Sequence, residues 1–304
     1  MSDMLNTILS MSSDNDELKF VDNIWLDYNV LKAMPDRRHE QIRLLYATGL
    51  CEPNGGIEHV FMPSIVIKNL EDSILDLYSK VKVQEHSVML CNEVYFTSKI
   101  EGANTTIQRT QQIHNGEFID YSNAFSEYMI KGAFDATKLL NIRGNKINKE
   151  ILREVWEVLT YGCCDNKDID GDMWRIDSIG VGKHTGIHKD LIDEAMSMWI
   201  EYYNSSTLKN HPFIKAALLH YAFEFIHPYC DGNGRMGRLL MNNFLIKEGY
   251  DKIKAVSFSR SIDKVRLDYD RAFSDSENVY SDCTPFIQFM LSAMYDAFND
   301  VVNN

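Results

Sequence analysis

No apolar run in this 304-residue chain approaches the ~20 residues needed to span a bilayer, so no transmembrane helix is expected. Lysine and arginine are absent from the first eighteen residues and no long apolar stretch lies among them, so nothing there resembles a secretory leader. Basic residues are also outnumbered: 31 Lys and Arg face 44 Asp and Glu, a formal net charge of −13. Phosphate backbones are bound by clustered cations, so a broad nucleic-acid surface is not expected. Six cysteines occur without one Cys-x-x-Cys pair, a usage that fits reduced, buried thiols better than a disulfide frame or a zinc site. Repeats, low-complexity stretches and flexible linkers are lacking as well. These absences point to a cytoplasmic protein that engages neither membrane nor nucleic acid.

What is present is 45% hydrophobic residues, enough for one large or two modest domains, spaced for helices. Leu70, Ile74, Leu77, Tyr78 and Val81 recur three and four apart, as do Leu191, Ala195, Met198 and Tyr202, and again Ile262, Val265, Tyr269 and Phe273. Thr284-Pro285 reads as a cap and first-turn proline before the stripe Ile287, Met290, Leu291, Met294, Tyr295 and Phe298. Near the N-terminus a short helix is expected over 35–48 and a turn at Asn54-Gly55-Gly56. The fold class is mostly α.

One segment concentrates chemistry: His227-Pro228-Tyr229-Cys230-Asp231-Gly232-Asn233-Gly234-Arg235-Met236-Gly237-Arg238. Ile214, Ala217, Leu218, Tyr221 and Phe225 before it, and Leu239, Leu240, Phe244 and Ile246 after it, make it the loop between two helices. Gly232 and Gly234 let the amides of 232–235 turn together toward an anion where the second helix begins. Asp231 is a hard oxygen ligand suited to Mg2+, which usually takes one or two carboxylates plus phosphate oxygens. An unperturbed imidazole, such as His227 offers, can accept a proton at neutral pH, and Arg235 and Arg238 present guanidinium forks that match phosphate oxygens. Cys230 is assigned no chemistry. Asn166 to Gly171 imitates a calcium loop, but its first position is Asn and its twelfth, Asp177, is not Glu, so it reads as a solvated acidic loop. His184 and His188 have helical ligand spacing, which Gly186 between them weakens.

The segment resembles the signature of the Fic domain family, His-Pro-Phe-x-Asp/Glu-Gly-Asn-Gly-Arg-x-x-Arg, with Tyr229 in place of the commoner Phe. The resemblance implies a Fic-type helical domain with a small β-hairpin flap over the active site, in a family that mostly transfers AMP from ATP to protein hydroxyls. It implies His227 as the catalytic base, Gly232, Asn233, Gly234, Arg235 and Arg238 on the nucleotide phosphates, and Asp231 on Mg2+. More weakly it extends over 147–273, dividing the chain into an N-terminal helical region, 1–144, and a Fic core with C-terminal helices, 145–304. Gly171 to Arg175 resembles the start of the flap, so a target protein is expected to dock at 175–188 by strand addition. Tyr269 resembles a tyrosine that lines the nucleotide pocket; packing in the core is its competing reading.

Thr97-Ser98-Lys99-Ile100-Glu101-Gly102 resembles the family's inhibitory motif, Ser/Thr-x-x-x-Glu-Gly/Asn, in which the glutamate pairs with the second motif arginine, here Arg238. Gly102 is a natural helix C-terminal residue, which would put Glu101 at the negative end of a helix dipole, unfavourable unless a cation meets it. The alternative is a capping box, Ser98-x-x-Glu101, that opens a helix. Val88, Cys91, Val94 and Tyr95 lie before the motif and favour a helix ending there. The whole reads as an adenylyltransferase that moves AMP from ATP to a Ser, Thr or Tyr hydroxyl of a target protein or of itself, inhibited by Glu101 and Thr97. Two alternatives stay open: a hydrolase that removes AMP on the same site, and a non-enzymatic nucleotide-sensing module.

Overall fold

Capping side chains fix where several helices begin. The computed structural model describes residues 46–51, 58–61, 64–82, 86–164, 173–177, 180–181, 184–206, 208, 210–277 and 282–303. Ser64 accepts from the Ile67 N–H to open α1 (Ile65–Lys80), and Thr106 does the same for Arg109 at α3 (Ile107–His114). Between them runs α2 (His86–Ile100), and α4 (Ala124–Arg143) follows α3. Asn148 caps α5 (Lys149–Thr160), whose apolar stripe of Ile151, Leu152, Val155, Trp156 and Leu159 is buried. After α6 (Ile192–Asn204), Pro212 occupies the first turn of α7 (Pro212–Ile226). Then come α8 (Asn233–Lys247), α9 (Phe258–Lys264), α10 (Arg266–Glu277) and α11 (Thr284–Asn303).

The α7 helix is buried on nearly all sides, as the axis of the molecule must be: α6, α8 and α11 pack around it. The closing helix α11 packs along α1, so a single apolar core runs from Phe61 through Ile74, Trp199 and Phe223 to Phe298. No helix among the described residues is long and apolar enough to cross a membrane.

Several expectations need correction. Residues 46–48 belong to β1 (Tyr46–Cys51), which pairs antiparallel with β2 (Glu58–Phe61), and not to a helix over 35–48. Tyr and Thr fit an extended, paired backbone, and ladder bonds to β2 override a weak helical pattern. Residues 35–45, the Asn54–Gly56 turn and the Asn166–Gly171 loop lie outside the described residues. The stripe from Ile262 to Phe273 is not one helix: Val265 ends α9 in a non-helical conformation and is 42% exposed, and α10 starts afresh. Where the flap was expected, the described strands β3 (Gly180–Val181) and β4 (His184–Thr185) are two residues each and pair antiparallel. A hairpin flap is not shown by so short a pairing. His184 and His188 share no helix, since His184 is in β4 and His188 precedes a 3-10 turn.

Candidate active site between α7 and α8

The loop that joins α7 to α8 is held by its own side chains and by three aromatic rings. His227 ends α7 in the left-handed conformation, φ 51° and ψ 62°, with its N–H still donating to Phe223 O at 3.0 Å. Asn233 clamps the turn, donating from Nδ2 to Tyr229 O at 2.7 Å and accepting the Tyr229 N–H at 3.0 Å. Tyr229 is buried beneath, stacked on Trp156 with centroids 5.0 Å apart and tilted against Trp174. Trp156 Nε1 donates to Asp231 O at 2.8 Å. Arg175 fastens the other side: its N–H donates to Pro228 O at 2.9 Å, Nε to His227 O at 2.7 Å, and Nη2 to Ile187 O. Gly232, at φ 81°, turns the chain into α8.

The first intrahelical bond of α8 is Met236 N–H to Gly232 O at 2.9 Å, so the amides of Asn233, Gly234 and Arg235 precede the ladder and face outward as an anion cradle. A carboxylate lies against Gly234 of this turn. Oε1 of Glu101 is close enough to Gly234 that a Cβ at that glycine would collide with it and sit 2.9 Å from Cδ. The same Oε1 accepts from Arg238 Nη2 at 2.6 Å. Arg238 is buried; Nε donates to Thr97 Oγ1 at 2.8 Å and Nη2 to Thr97 O at 3.1 Å, while Nη1 has no partner among the described residues.

Glu101 is placed by a helix end. The Gly102 N–H bonds Lys99 O and the Ala103 N–H bonds Ser98 O, both at 3.0 Å, with Gly102 at φ 92°: a Schellman closure of α2, not a capping box that opens a helix. Burial of its carboxyl would raise its pKa, but the charge and hydrogen bond of Arg238, with Arg266 and Arg235 behind, outweigh burial and hold it below the usual range. For Arg238 burial acts to lower the pKa, and Glu101 turns the balance upward. The α2 helix is pinned by Glu93, which accepts from Ser257 Oγ at 2.7 Å, Ser259 Oγ at 2.6 Å, Ser259 N at 3.0 Å and Asn242 Nδ2 at 3.1 Å.

The remaining site residues divide. Asp231 is 47% exposed along its side chain, accepts the Gly232 N–H at 2.7 Å, and lies 3.5 Å from Arg235 Nη2. Arg235 is buried and makes only long contacts, to Leu159 O and Cys163 Sγ at 3.4 Å, with Nε unpartnered among the described residues. The Asn233 amide is spent on Tyr229, so only its backbone N–H faces an anion. Tyr269 is buried with its hydroxyl 3.0 Å from His220 Nε2 and its ring against Phe286 and Phe289, the packing that the competing reading expected. His220 is held neutral, first by burial and then by the Arg238 charge. No group of three His, Cys, Asp or Glu among the described residues could hold a metal by itself.

Residues 145–245 match the model of the Fic/DOC family, a match that includes His227, the α8 cradle and both arginines. The chain carries a Fic/DOC domain. Its curated relatives include "Protein adenylyltransferase Fic" of Drosophila ananassae, 30% identical over 169 residues, which make up 53% of this chain and 33% of that protein. The protein of the same name from Drosophila melanogaster is 31% identical over the same shares. The chain thus spans about a third of the length of the curated relatives it matches. The fold is similar to a Fic family protein from Desulfovibrio desulfuricans G20, with a TM-score of 0.69 and 22% identity over 80% of this chain and 76% of that one. A fragment of Fic-1 from C. elegans gives 0.64 and 19% over 78% and 72%.

The fold brings His227, Asp231, the 232–235 turn and Arg238 of the matched residues together with Glu101 and Thr97, which lie outside the match. Sequence reasoning gave no role to Glu93 or Glu224, and placed Arg175 only at the start of the flap. Only Glu224 carried a local signal, a carboxylate three residues before His227 in an otherwise apolar helix.

Proposed function

We propose that this protein is a protein adenylyltransferase that moves AMP from ATP to a Ser, Thr or Tyr hydroxyl, with Glu101 as its brake. One relationship carries the reading. The Glu101 carboxylate lies against Gly234 in the first turn of α8 and on Arg238 at once, beside the two features a polyphosphate would use. A carboxylate is a small stand-in for phosphate oxygens, so its seat marks where the tail of ATP belongs. With the tail there, His227 at the near end of α7 takes the proton of the target hydroxyl as that oxygen attacks the α-phosphorus. The O–P bond to the β-phosphate breaks and pyrophosphate leaves. Positioning and charge stabilisation supply most of the acceleration in phosphoryl-type transfers.

Asp231 fits Mg2+ in the way such sites are built, one exposed carboxylate completed by phosphate oxygens. Bound there, the ion would neutralise charge developing on the phosphates. A target is expected to dock along 175–188 by strand addition to β3 and β4. What supports this is Gly186, where a Cβ would sit 2.9 Å from His227 Cβ, so that segment runs beside the base.

The test is incubation with ATP labelled at the α-phosphate or at the γ-phosphate, using the Glu101→Gly protein. Label retained on protein from the α position only is the expected result; label from the γ position would replace AMP transfer by phosphoryl transfer, and none from either would remove the transferase reading.

A further inference from the structure

Glu224 is the only acidic residue of α7. Its side chain is 12% exposed, and its Oε2 stands 4.0 Å from Nδ1 of His227, an ion-pair distance about 1 Å beyond hydrogen-bond reach. Its Oε1 has no partner among the described residues and rests over Gly237, where a Cβ would come within 3.1 Å. The charged and titratable groups that face it are Glu101 from α2, Arg238 from α8, Arg266 and Tyr269 from α10, and His220 and His227 on its own helix. A buried carboxyl oxygen without a partner is costly, and a methionine or leucine would fill the same space without that cost. Its neighbour gives it a use. A catalytic imidazole works best when a carboxylate holds its second N–H, which fixes the tautomer and raises basicity.

We propose that Glu224 is a positioning residue for His227: once Glu101 leaves Arg238, the Glu224 carboxylate takes the Nδ1–H of the imidazole and leaves Nε2 to receive the proton of the attacking hydroxyl. The inference rests on the transferase reading for its last step, while the pairing itself does not. Burial first, and then the facing charge of Glu101, push the Glu224 carboxyl up to about 8, against the opposite pull of Arg238 and Arg266. Near neutral pH the braked protein therefore keeps Glu224 mostly protonated, with no negative charge to offer the ring. Glu101 thus bears on two groups, holding Arg238 by contact and adding to the burial that keeps Glu224 protonated.

The experiment uses the full chain as wild type, Glu101→Gly, and Glu101→Gly with Glu224→Gln. First, the imidazole of His227 is titrated by NMR without nucleotide. Loss of the Glu101 charge would by itself lower its midpoint; the proposal expects a rise on Glu101→Gly, and a fall of roughly one pH unit when Glu224→Gln is added. A midpoint that falls or stays on Glu101→Gly overturns the proposal, a comparison that holds even if the glutamine variant folds poorly. Second, AMP transfer is measured from α-labelled ATP. Glu224→Gln is expected to lower kcat ~10- to 100-fold with KM for ATP unchanged. An unchanged kcat, or a loss confined to KM, also overturns it. If the Glu101→Gly parent transfers no AMP at all, the transferase reading fails on its own, and the imidazole titration still decides the pairing.

Discussion

Arg238 Nη2 and Glu101 Oε1 lie 2.6 Å apart across 137 residues of sequence, and the arginine is buried while 31% of the glutamate side chain remains exposed. The asymmetry decides which partner can leave. Arg238 is fixed by Thr97 from two directions, whereas Glu101 sits on a helix end facing solvent. A phosphate arriving at α8 can displace the carboxylate and leave the guanidinium satisfied; displacing the arginine would strand a buried charge.

Glu101→Gly should therefore raise AMP transfer. Removing even a ~2 kcal/mol bias against the competent state corresponds to roughly thirtyfold in population. Adding Arg238→Ala should erase the gain, because the phosphate clamp is lost. Initial rates with α-labelled ATP read both effects. A Glu101→Gly protein slower than wild type would favour AMP removal, in which the carboxylate orients water.

His227→Ala, in the Glu101→Gly background, should cut transfer by ~10²- to 10⁴-fold and leave ATP affinity nearly unchanged, since the imidazole serves the proton. Rates together with equilibrium nucleotide binding check this. Equal rates would remove His227 as the base.

Asp231→Ala should lower activity in a way that higher Mg2+ partly restores, because a single carboxylate only raises local occupancy of the ion. The rate is measured against Mg2+ concentration in both proteins. Full activity in chelator would take the metal out of the reaction.

Acid stability should depend on Glu127. It is buried and accepts from Arg109 Nε at 2.7 Å, Arg109 Nη2 at 2.9 Å and Asp120 N at 2.6 Å. The Arg109 hydrogen bonds, opposed by burial and assisted by the Asp120 amide, lower its pKa below the usual carboxylate value. With the folded pKa below the unfolded one, this contribution is complete above about pH 4.5 and is lost as pH falls through the folded value. Melting temperature should drop more steeply below that pH in wild type than in Glu127→Gln. Parallel curves would show that the pair does not contribute.

Features that one stretch of chain determines could be read from the sequence. The Gly102 stop of α2, the loop between α7 and α8, and the buried aromatic at Tyr229 all follow from residues within a turn or two of one another. Resemblance extended that reach to one distant pair, Glu101 with Arg238. Glu93 could not be found this way, because its acceptor role depends on Ser257 and Ser259, more than 160 residues on. The surroundings of Tyr269 were hidden for a related reason: its helix face gives no sign of His220 waiting for its hydroxyl. Val265 kept the apolar period across a real break, since periodicity records side chains and not backbone bonds.

The left-handed backbone of His227 has a consequence for what holds a histidine at that position. At φ 51° a side chain crowds the following carbonyl at a cost of roughly 1 kcal/mol, and glycine would escape it. His227→Gly should then melt higher than His227→Ala, the reverse of their order inside a helix. Thermal melts of these two proteins, neither of which has an imidazole at 227, isolate the strain from the proposed chemistry. The backbone at the end of α7 is shaped for a residue without a side chain, and it carries an imidazole. Fold stability alone would favour glycine at this position, so a histidine here fits the catalytic role proposed for it.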